Sequence, residues 1–343
     1  MLFIILLLSL SAQASESLST ISISVDHYYR QDSLTSLRHM INHDQVDRCT
    51  NNLQTVNSFS DQITNNVSLM FHETPAMVGG VDSSYGTSEN DELYYPTSLL
   101  SHPLCRVSSK TLRKTIKNVP SASTIKKINR FVSKSNQLRT LALVGDLNAK
   151  NELLNTWTRF FSCLGYTESL GTADSTKSDR LAKKYAPKDY QRPPGVEFYI
   201  DPNQPKASKL NVGVYQFSPN SRGNIRSCLK AWNYLHQKED SSCQLNLKGD
   251  QNEMIRILGS SEQSFNIFCG IHKLIETFSI QVNTTKSRST HPYNLVDGKL
   301  LPPAERCVSP HFYSGKAYNH FGTLQNSTGS NTDELLSCME SKK

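Results

Sequence analysis

The sequence predicts a mainly α fold, with a helical domain over 123–343 set behind an irregular, disulfide-tied N-terminal extension over 15–122. Three observations carry that expectation. Downstream of Ser123, apolar residues recur every three or four positions along several segments, the signature of amphipathic helices. Strand signals are few, "VEFYI" (Val196 to Ile200) being the best. Eight cysteines are spread along the chain with no C-x-x-C pair, which favours disulfides over a zinc ribbon or a thioredoxin-type redox motif.

The chain opens "MLFIILLLSLSAQASES", an apolar run from Leu2 to Leu10 followed by Ala12-Gln13-Ala14, the small-x-small pattern read by signal peptidase. A signal peptide over 1–14 is therefore expected, with a mature chain outside the cytoplasm, secreted or periplasmic. The run is short for a bilayer span and no later stretch is long enough, so no stable membrane insertion is expected after cleavage. In an oxidising compartment four disulfides are possible, each contributing about 2–4 kcal/mol, with the pairing left open by the sequence. Cys163, Cys228 and Cys269 each sit among apolar residues, which places them in a core.

Net charge is +7. That balance suits an acidic partner, such as a wall polymer rich in carboxylates. The charge is scattered and only two Trp are available, so no nucleic-acid groove is expected.

Along the extension, Ser, Thr and Asn are frequent and apolar positions sparse. Short helices are predicted around Ser33–Ile41 and Val46–Ile63, and "MVGGVDSSYGTSENDE" reads as a loop. This segment is expected to pack on something else, tied down through Cys49 and Cys105. Next, "STIKKINRFV" and "LNAKNELLNTWTRFFSCLGYTES" predict helices, the second with Leu153, Leu154, Trp157, Phe160, Phe161 and Leu164 on one stripe. Residues 170–210, rich in Lys, Asp and Pro, read as a long surface excursion. Helical spacing returns in "GNIRSCLKAWNYLHQ", again from Phe265 to Phe278, and finally over Thr332–Glu340. The Pro-rich stretch between the last two is predicted to be irregular. No internal repeat is apparent.

One residue stands out against this pattern. Glu168 falls four residues after Leu164, so it extends the apolar face of its helix instead of the wet one. Downstream come "GVYQFSP" (Gly213 to Pro219), "GNIRSCLKAWNYL" (Gly223 to Leu235) and "KAYNHFG" (Lys316 to Gly322). In that order these segments resemble the successive motifs of the lysozyme-like superfamily, in its soluble lytic transglycosylase and goose-type lysozyme branch. Glu168-Ser169 is similar to the family's catalytic "ES" at a helix end, and Gly213-Val214-Tyr215-Gln216 to the "G-L-M-Q" that walls the cleft. Asn224-Ile225 with Tyr234-Leu235 is similar to its "N-I … Y-L" helix, and Ala317-Tyr318-Asn319 to its "A-Y-N". The resemblance covers roughly 148–324. It departs from the family in the longer gap between Glu168 and Gly213, in Tyr215 standing for the methionine, and in the Pro-rich setting of Tyr318.

The resemblance implies an exported glycosidase that cuts the β-1,4 bond between N-acetylmuramic acid and N-acetylglucosamine in peptidoglycan. Partly deacetylated glycan is a possible variant substrate, as for lysozyme-like enzymes of predatory bacteria. Glu168 would be the general acid, since desolvating a carboxyl raises its pKa and keeps it protonated near neutrality. Tyr318 would orient Glu168 or contact substrate near the scissile bond, Ser169 and Gln216 would hydrogen-bond the sugar, Asn319 would be structural or a sugar contact, and Gly213 belongs to the cleft wall. Tyr215 and Phe217 offer rings for stacking on sugar faces or serve as core aromatics.

A second carboxylate is the usual complement in a hydrolase, at about 5–9.5 Å. Asp174, Asp179, Asp189 and Asp201 are candidates that nothing in the sequence selects between. In the resembling family a single glutamate suffices for transglycosylation, which leaves a 1,6-anhydro sugar, so both outcomes stay open. No cofactor is implied, the ten histidines show no H-E-x-x-H spacing that would suggest a metal site, and a monomer is expected. The alternatives are a wall-binding protein of the same fold without turnover, and an exported inhibitor or adhesin with no cleft around Glu168. Asn66-Val67-Ser68, Asn283-Thr284-Thr285 and Asn326-Ser327-Thr328 match the glycosylation sequon.

Overall fold

The computed structural model describes residues 59–69, 71, 76–78, 92–94, 100–115, 120–165, 167–168, 199–200, 210–236, 243–259, 263–311, 321–325 and 330–341. The leader over 1–14, the Ser33–Ile41 helix, Cys49 and, apart from 199–200 and 210, the 170–210 excursion lie outside them. Within the described residues the protein is mainly helical, as the periodicity predicts. Strands are confined to two- and three-residue antiparallel pairs: Ala76–Val78 with Glu92–Tyr94, Tyr199–Ile200 with Leu210–Asn211, and Leu295–Val296 with Lys299–Leu300.

Helix α1 (Phe59–Leu69) begins near the end of the helix expected from Val46 and continues past it. It packs on two later helices, so the extension shares the core of the helical domain instead of forming a separate unit. After α2 (Ser109–Thr115) comes α3 (Ala122–Leu143), which starts where the Ser121 hydroxyl accepts the Thr124 amide at 3.2 Å. Two asparagines on α3 fasten the extension. Asn129 exchanges a pair of hydrogen bonds with the Val107 backbone and Asn136 a second pair with Leu104, all between 2.8 and 2.9 Å. The segment between them is held by these side-chain amides and by one parallel backbone bridge between Leu104 and Val308.

Helix α4 (Leu147–Gly165) returns antiparallel to α3 after a turn at Gly145, whose φ of +93° is left-handed. Asp146 then caps α4 by accepting the Ala149 amide at 3.0 Å. The buried face of α4 is the apolar stripe read from the sequence: Leu153, Trp157, Phe160, Phe161 and Leu164 are all enclosed. Phe131 of α3 stacks against Phe160 and meets Trp157 edge-on, which locks the two helices together.

Helix α5 (Arg226–His236), the short α6 (Gln251–Leu258) and α7 (Ser264–Asn283) complete the centre. Almost every side chain of α7 is buried, as expected of a helix enclosed on all sides by α1, α5, α6 and the Ala76–Val78 strand. Helix α6 is an addition to the expected elements. Asp250 opens it by accepting the Glu253 amide at 2.9 Å, half of a capping box. The chain ends in α8 (Gly322–Gln325) and α9 (Ser330–Glu340), the latter against α3 and α4.

Disulfides cross this framework at long range. Cys105 joins Cys307, Cys163 joins Cys338 and Cys228 joins Cys269, and no described cysteine is free. The first closes the end of the extension onto the Pro-rich segment, where Cys105 N–H also donates to Val308 C=O at 2.8 Å. The expected tie through Cys105 is thus present. Cysteines used this way point to an oxidising compartment.

Candidate functional site

Three stretches far apart in sequence meet at the C-terminal end of α4. The helix reaches Gly165, and the backbone at 167–168 widens into a π-type turn, a distortion frequent at functional sites. Thr167 closes that turn by donating its hydroxyl to Cys163 C=O at 2.8 Å. Glu168 follows, half-buried, one turn beyond the fully enclosed Leu164.

The third stretch supplies the carboxyl's partner. The Thr323 amide, in α8, donates to Glu168 Oε1 at 3.1 Å. Burial pushes the Glu168 carboxyl above the ordinary carboxylate range. The Thr323 hydroxyl and amide work in the opposite direction, favouring the charged form, and burial outweighs them. The Thr323 hydroxyl is itself buried without a hydrogen bond of full geometry. A carboxyl held in this way stays protonated to higher pH than a surface glutamate, yet keeps a donor ready for its anion. Such a group can give a proton and take one back.

The second stretch is the tight turn from Val212 to Phe217, closed by reciprocal Val212–Phe217 backbone hydrogen bonds at 2.9 and 3.1 Å. Gly213 has φ +77° and lies so close to α7 that a Cβ there would meet Asn266 Nδ2 at 2.1 Å. No other residue type fits both requirements. Asn266 holds the turn from α7: its Oδ1 accepts the Tyr215 amide at 2.9 Å and its Nδ2 donates to Val212 C=O at 2.8 Å. Gln263 Oε1 accepts the Val214 amide at 2.9 Å. Gln216 sits at φ +55°, with its Nε2 donating to Gly213 C=O at 2.7 Å, and remains half-buried.

Tyr215 corrects one expectation. As a ring for stacking on sugar it would need a free face, and it has none: the side chain is fully enclosed. Its hydroxyl donates to Phe161 C=O at 2.9 Å, its ring meets Phe161 and Phe321 edge-on, and Gly270 lies flat beneath it. Burial also pushes the phenol well above its usual range, so it stays neutral. Tyr215 is the wedge that joins α4, the turn and the Phe321–Thr323 segment. Phe217 is likewise a core aromatic, and Ile225 of the "N-I" motif is buried in the same core.

Ser169, Tyr318 and Asn319 lie outside the described residues, as do Asp174, Asp179, Asp189 and Asp201. Thr323, Gln263 and Asn266 are the site's additions. For Asn266 and Gln263 the sequence held a signal, polar amides at the start of an otherwise apolar helix. For Thr323 it held none beyond nearness to "AYN".

Elsewhere, Cys105, His291 and Cys307 place potential metal-ligating atoms within 4.8 Å of one another, but both sulfurs are committed to their disulfide. Two of the sequons also prove to be helical positions. Asn66 is buried with its amide donated to Gln62 C=O, and Asn283 gives its amide to Ser279 C=O, so neither presents a free acceptor. Set against models of known protein families, against curated proteins and against solved structures, the chain matches none of them.

Proposed function

We propose that this chain is an exported glycosidase of the lysozyme-like kind that cuts the β-1,4 bond between N-acetylmuramic acid and N-acetylglucosamine in peptidoglycan, with Glu168 as the general acid. One observation carries the reading. The glutamate singled out in the sequence sits at the end of an apolar helix, with its carboxyl desolvated and bonded to the segment that directly follows "AYNHFG", beside the turn that resembles the family's cleft wall. Kept protonated to higher pH than an exposed glutamate, that carboxyl would protonate the leaving glycosidic oxygen, a transfer typically worth about 10²–10⁴ in rate. Once ionised it would act as base, toward water in hydrolysis or toward the sugar's own C6 hydroxyl in transglycosylation.

The fixed surroundings fit a positioned acid. Tyr215 and the Asn266 clamp hold the turn against α4, and Thr323 holds the carboxyl, so neither side of the site is free to drift. The disulfides and the leader pattern agree with export, and among the described residues no helix is long and apolar enough to cross a membrane. The positive net charge suits an anionic wall polymer.

Digestion of purified sacculi, normal and deacetylated, by the wild type and by Glu168→Gln tests the reading. The wild type is expected to release muropeptides, and the variant to lose at least about a hundredfold of that rate. Equal release by both proteins would rule out Glu168 as the acid. Sacculus binding without release by the wild type would favour a wall-binding protein that has lost turnover. Mass spectrometry of the fragments then separates reducing ends from anhydro ends, the latter lighter by one water.

A further inference from the structure

The bridge between Cys105 and Cys307 has an imidazole beside it. A ring nitrogen of His291 and the two sulfurs all lie within 4.8 Å of one another, the one such cluster of metal-ligating atoms among the described residues. His291 and Cys105 are buried, while Cys307 is only half-buried. The ring makes little use of its place. Its Nδ1 accepts a long bond from the Tyr293 amide, at 3.3 Å, and its Nε2 is buried without a hydrogen-bond partner. A buried polar atom in that condition costs stability, and a disulfide sulfur is too weak an acceptor to relieve it.

Backbone and amide contacts assemble this cluster without help from the disulfide. Asn294 joins the His291 turn to Cys307. Its backbone amide donates to His291 C=O at 2.8 Å, its Oδ1 accepts the Cys307 amide at 2.9 Å, and its Nδ2 donates to Cys307 C=O at 2.8 Å. On the other side, Cys105 N–H donates to Val308 C=O at 2.8 Å and Val308 N–H to Pro103 C=O at 2.9 Å. Leu104 is held in turn by Asn136 of α3. Opening the S–S bond therefore leaves two sulfurs facing each other beside an imidazole. Two thiolates and a neutral imidazole are a donor set suited to zinc, which binds sulfur at about 2.3 Å and imidazole nitrogen at about 2.0–2.1 Å. Magnesium and calcium, which prefer oxygen, find nothing in it to bind.

We propose that Cys105, Cys307 and His291 form a redox-controlled zinc site, in which the reduced pair and the imidazole hold one Zn²⁺ and re-formation of the disulfide expels it. The proposal stands independently of any glycosidase activity. A dithiol, itself oxidised to a disulfide, passes two electrons and two protons to the Cys105 and Cys307 sulfurs, attacking at the half-buried Cys307. Zn²⁺ then displaces both protons from the thiols with no change in its own oxidation state. The imidazole ligates as its neutral tautomer, with its proton on the nitrogen away from the ion, and gives up only the long Tyr293 contact. In the reverse direction an oxidised thiol accepts two electrons and two protons, the S–S bond re-forms and the ion leaves. A newly made chain carries its cysteines reduced, so zinc and disulfide would be successive occupants of one place.

The test is zinc binding by the full chain before and after mild reduction with dithiothreitol, removed by desalting without oxygen. The reduced wild type should retain one zinc ion per chain that the oxidised protein does not. Cobalt(II) in place of zinc should give the near-ultraviolet sulfur-to-metal charge-transfer band and the intense visible bands of a tetrahedral ion, a readout on the wild type that needs no variant to fold. Cys105→Ala/Cys307→Ala should abolish both signals, whereas Cys163→Ala/Cys338→Ala, which removes the other bridge with a half-buried sulfur, should keep them. His291→Asn retains a side-chain acceptor for the Tyr293 amide but deletes the ligand, and should weaken zinc binding at least about tenfold. Oxidised glutathione added to the zinc form should release the ion as two thiols disappear. Reduced wild type without zinc, a cobalt spectrum without sulfur ligation, or undiminished binding in His291→Asn or in Cys105→Ala/Cys307→Ala overturns the proposal.

Discussion

At Glu168 the requirements of chemistry and of stability pull apart. In the folded state its carboxyl titrates above the ordinary value of 4.5, because burial disfavours the anion more than Thr323 favours it. Between 4.5 and that raised value the native state holds a proton that the unfolded chain has released. Stability from this group is therefore full below 4.5 and is lost as pH rises through the folded value. Glu168→Gln keeps an acceptor for the Thr323 amide and removes the ionisable group. The variant should melt higher than the wild type at pH 7, with the difference shrinking toward pH 4, while its activity on sacculi is lost. A melting difference independent of pH would mean that the carboxyl is not desolvated in solution. Thr323→Val tests the opposing side by deleting the buried hydroxyl and keeping the amide. With Glu168 as the proposed general acid, its ionisation sets the alkaline limb of the pH–rate profile, and that limb should move upward in the variant, since one group favouring the anion has gone. An unchanged profile would remove the hydroxyl from the account.

At the scale of elements, the decisive join is the Val212–Phe217 turn on α7. Gly270 is the flat place that receives the Tyr215 ring: a Cβ there would lie 2.3 Å from Tyr215 Cδ2. Gly270→Ala should therefore force the ring off its seat and break its hydrogen bond to Phe161 C=O. The expected cost is about 1–3 kcal/mol by urea unfolding, although alanine is the better helix former. A neutral or stabilising result would show that the ring has room to yield. The long helices were legible because periodicity is strong where one face is buried, as at Leu153, Trp157, Phe160 and Leu164. Helix α6 was not, being only two turns long, although Asp250 and Glu253 carry its capping signal. The Asp297-Gly298 pair, with φ of +50° and +76°, makes a two-residue hairpin turn inside a region that composition alone reads as irregular. Of the site, Glu168 was legible from its place on the apolar stripe. Tyr215 was not assignable between sugar and core, since a ring's exposure depends on what α7 and Phe321 do on either side of it.

Across the whole molecule, the core holds charge and imidazole in ways that set its acid limit. Lys273 and Glu276 of α7 pair at 2.8 Å in near-complete burial, and Ser227 of α5 bonds to both, which fastens the two helices beside the Cys228–Cys269 bridge. Lys273→Met would strand the Glu276 carboxylate and should cost about 3–5 kcal/mol, which equilibrium unfolding would measure against a Lys273→Met/Glu276→Leu double variant that recovers part of it. The histidines act differently. His272 and His291 are pushed down from 6.5 to about 3 and His311 to about 4. Burial is the main cause in each case, joined by the Lys273 charge at His272 and by His311 at His291. Below pH about 6.5 the unfolded chain takes up protons that these three rings refuse, so the native state loses stability as pH falls toward 3 to 4. Each ring adds up to about 1.4 kcal/mol per pH unit to that slope. Acid should thus unfold the protein with an uptake of about three protons from these sites. His272 stacks on Phe268 with ring centroids 5.8 Å apart, so His272→Phe preserves the packing while removing one titration. Its stability measured from pH 7 to pH 4 should fall less steeply than that of the wild type. Parallel slopes would mean that His272 is not excluded from protons in the folded protein, and that the acid limit is set by carboxylates instead.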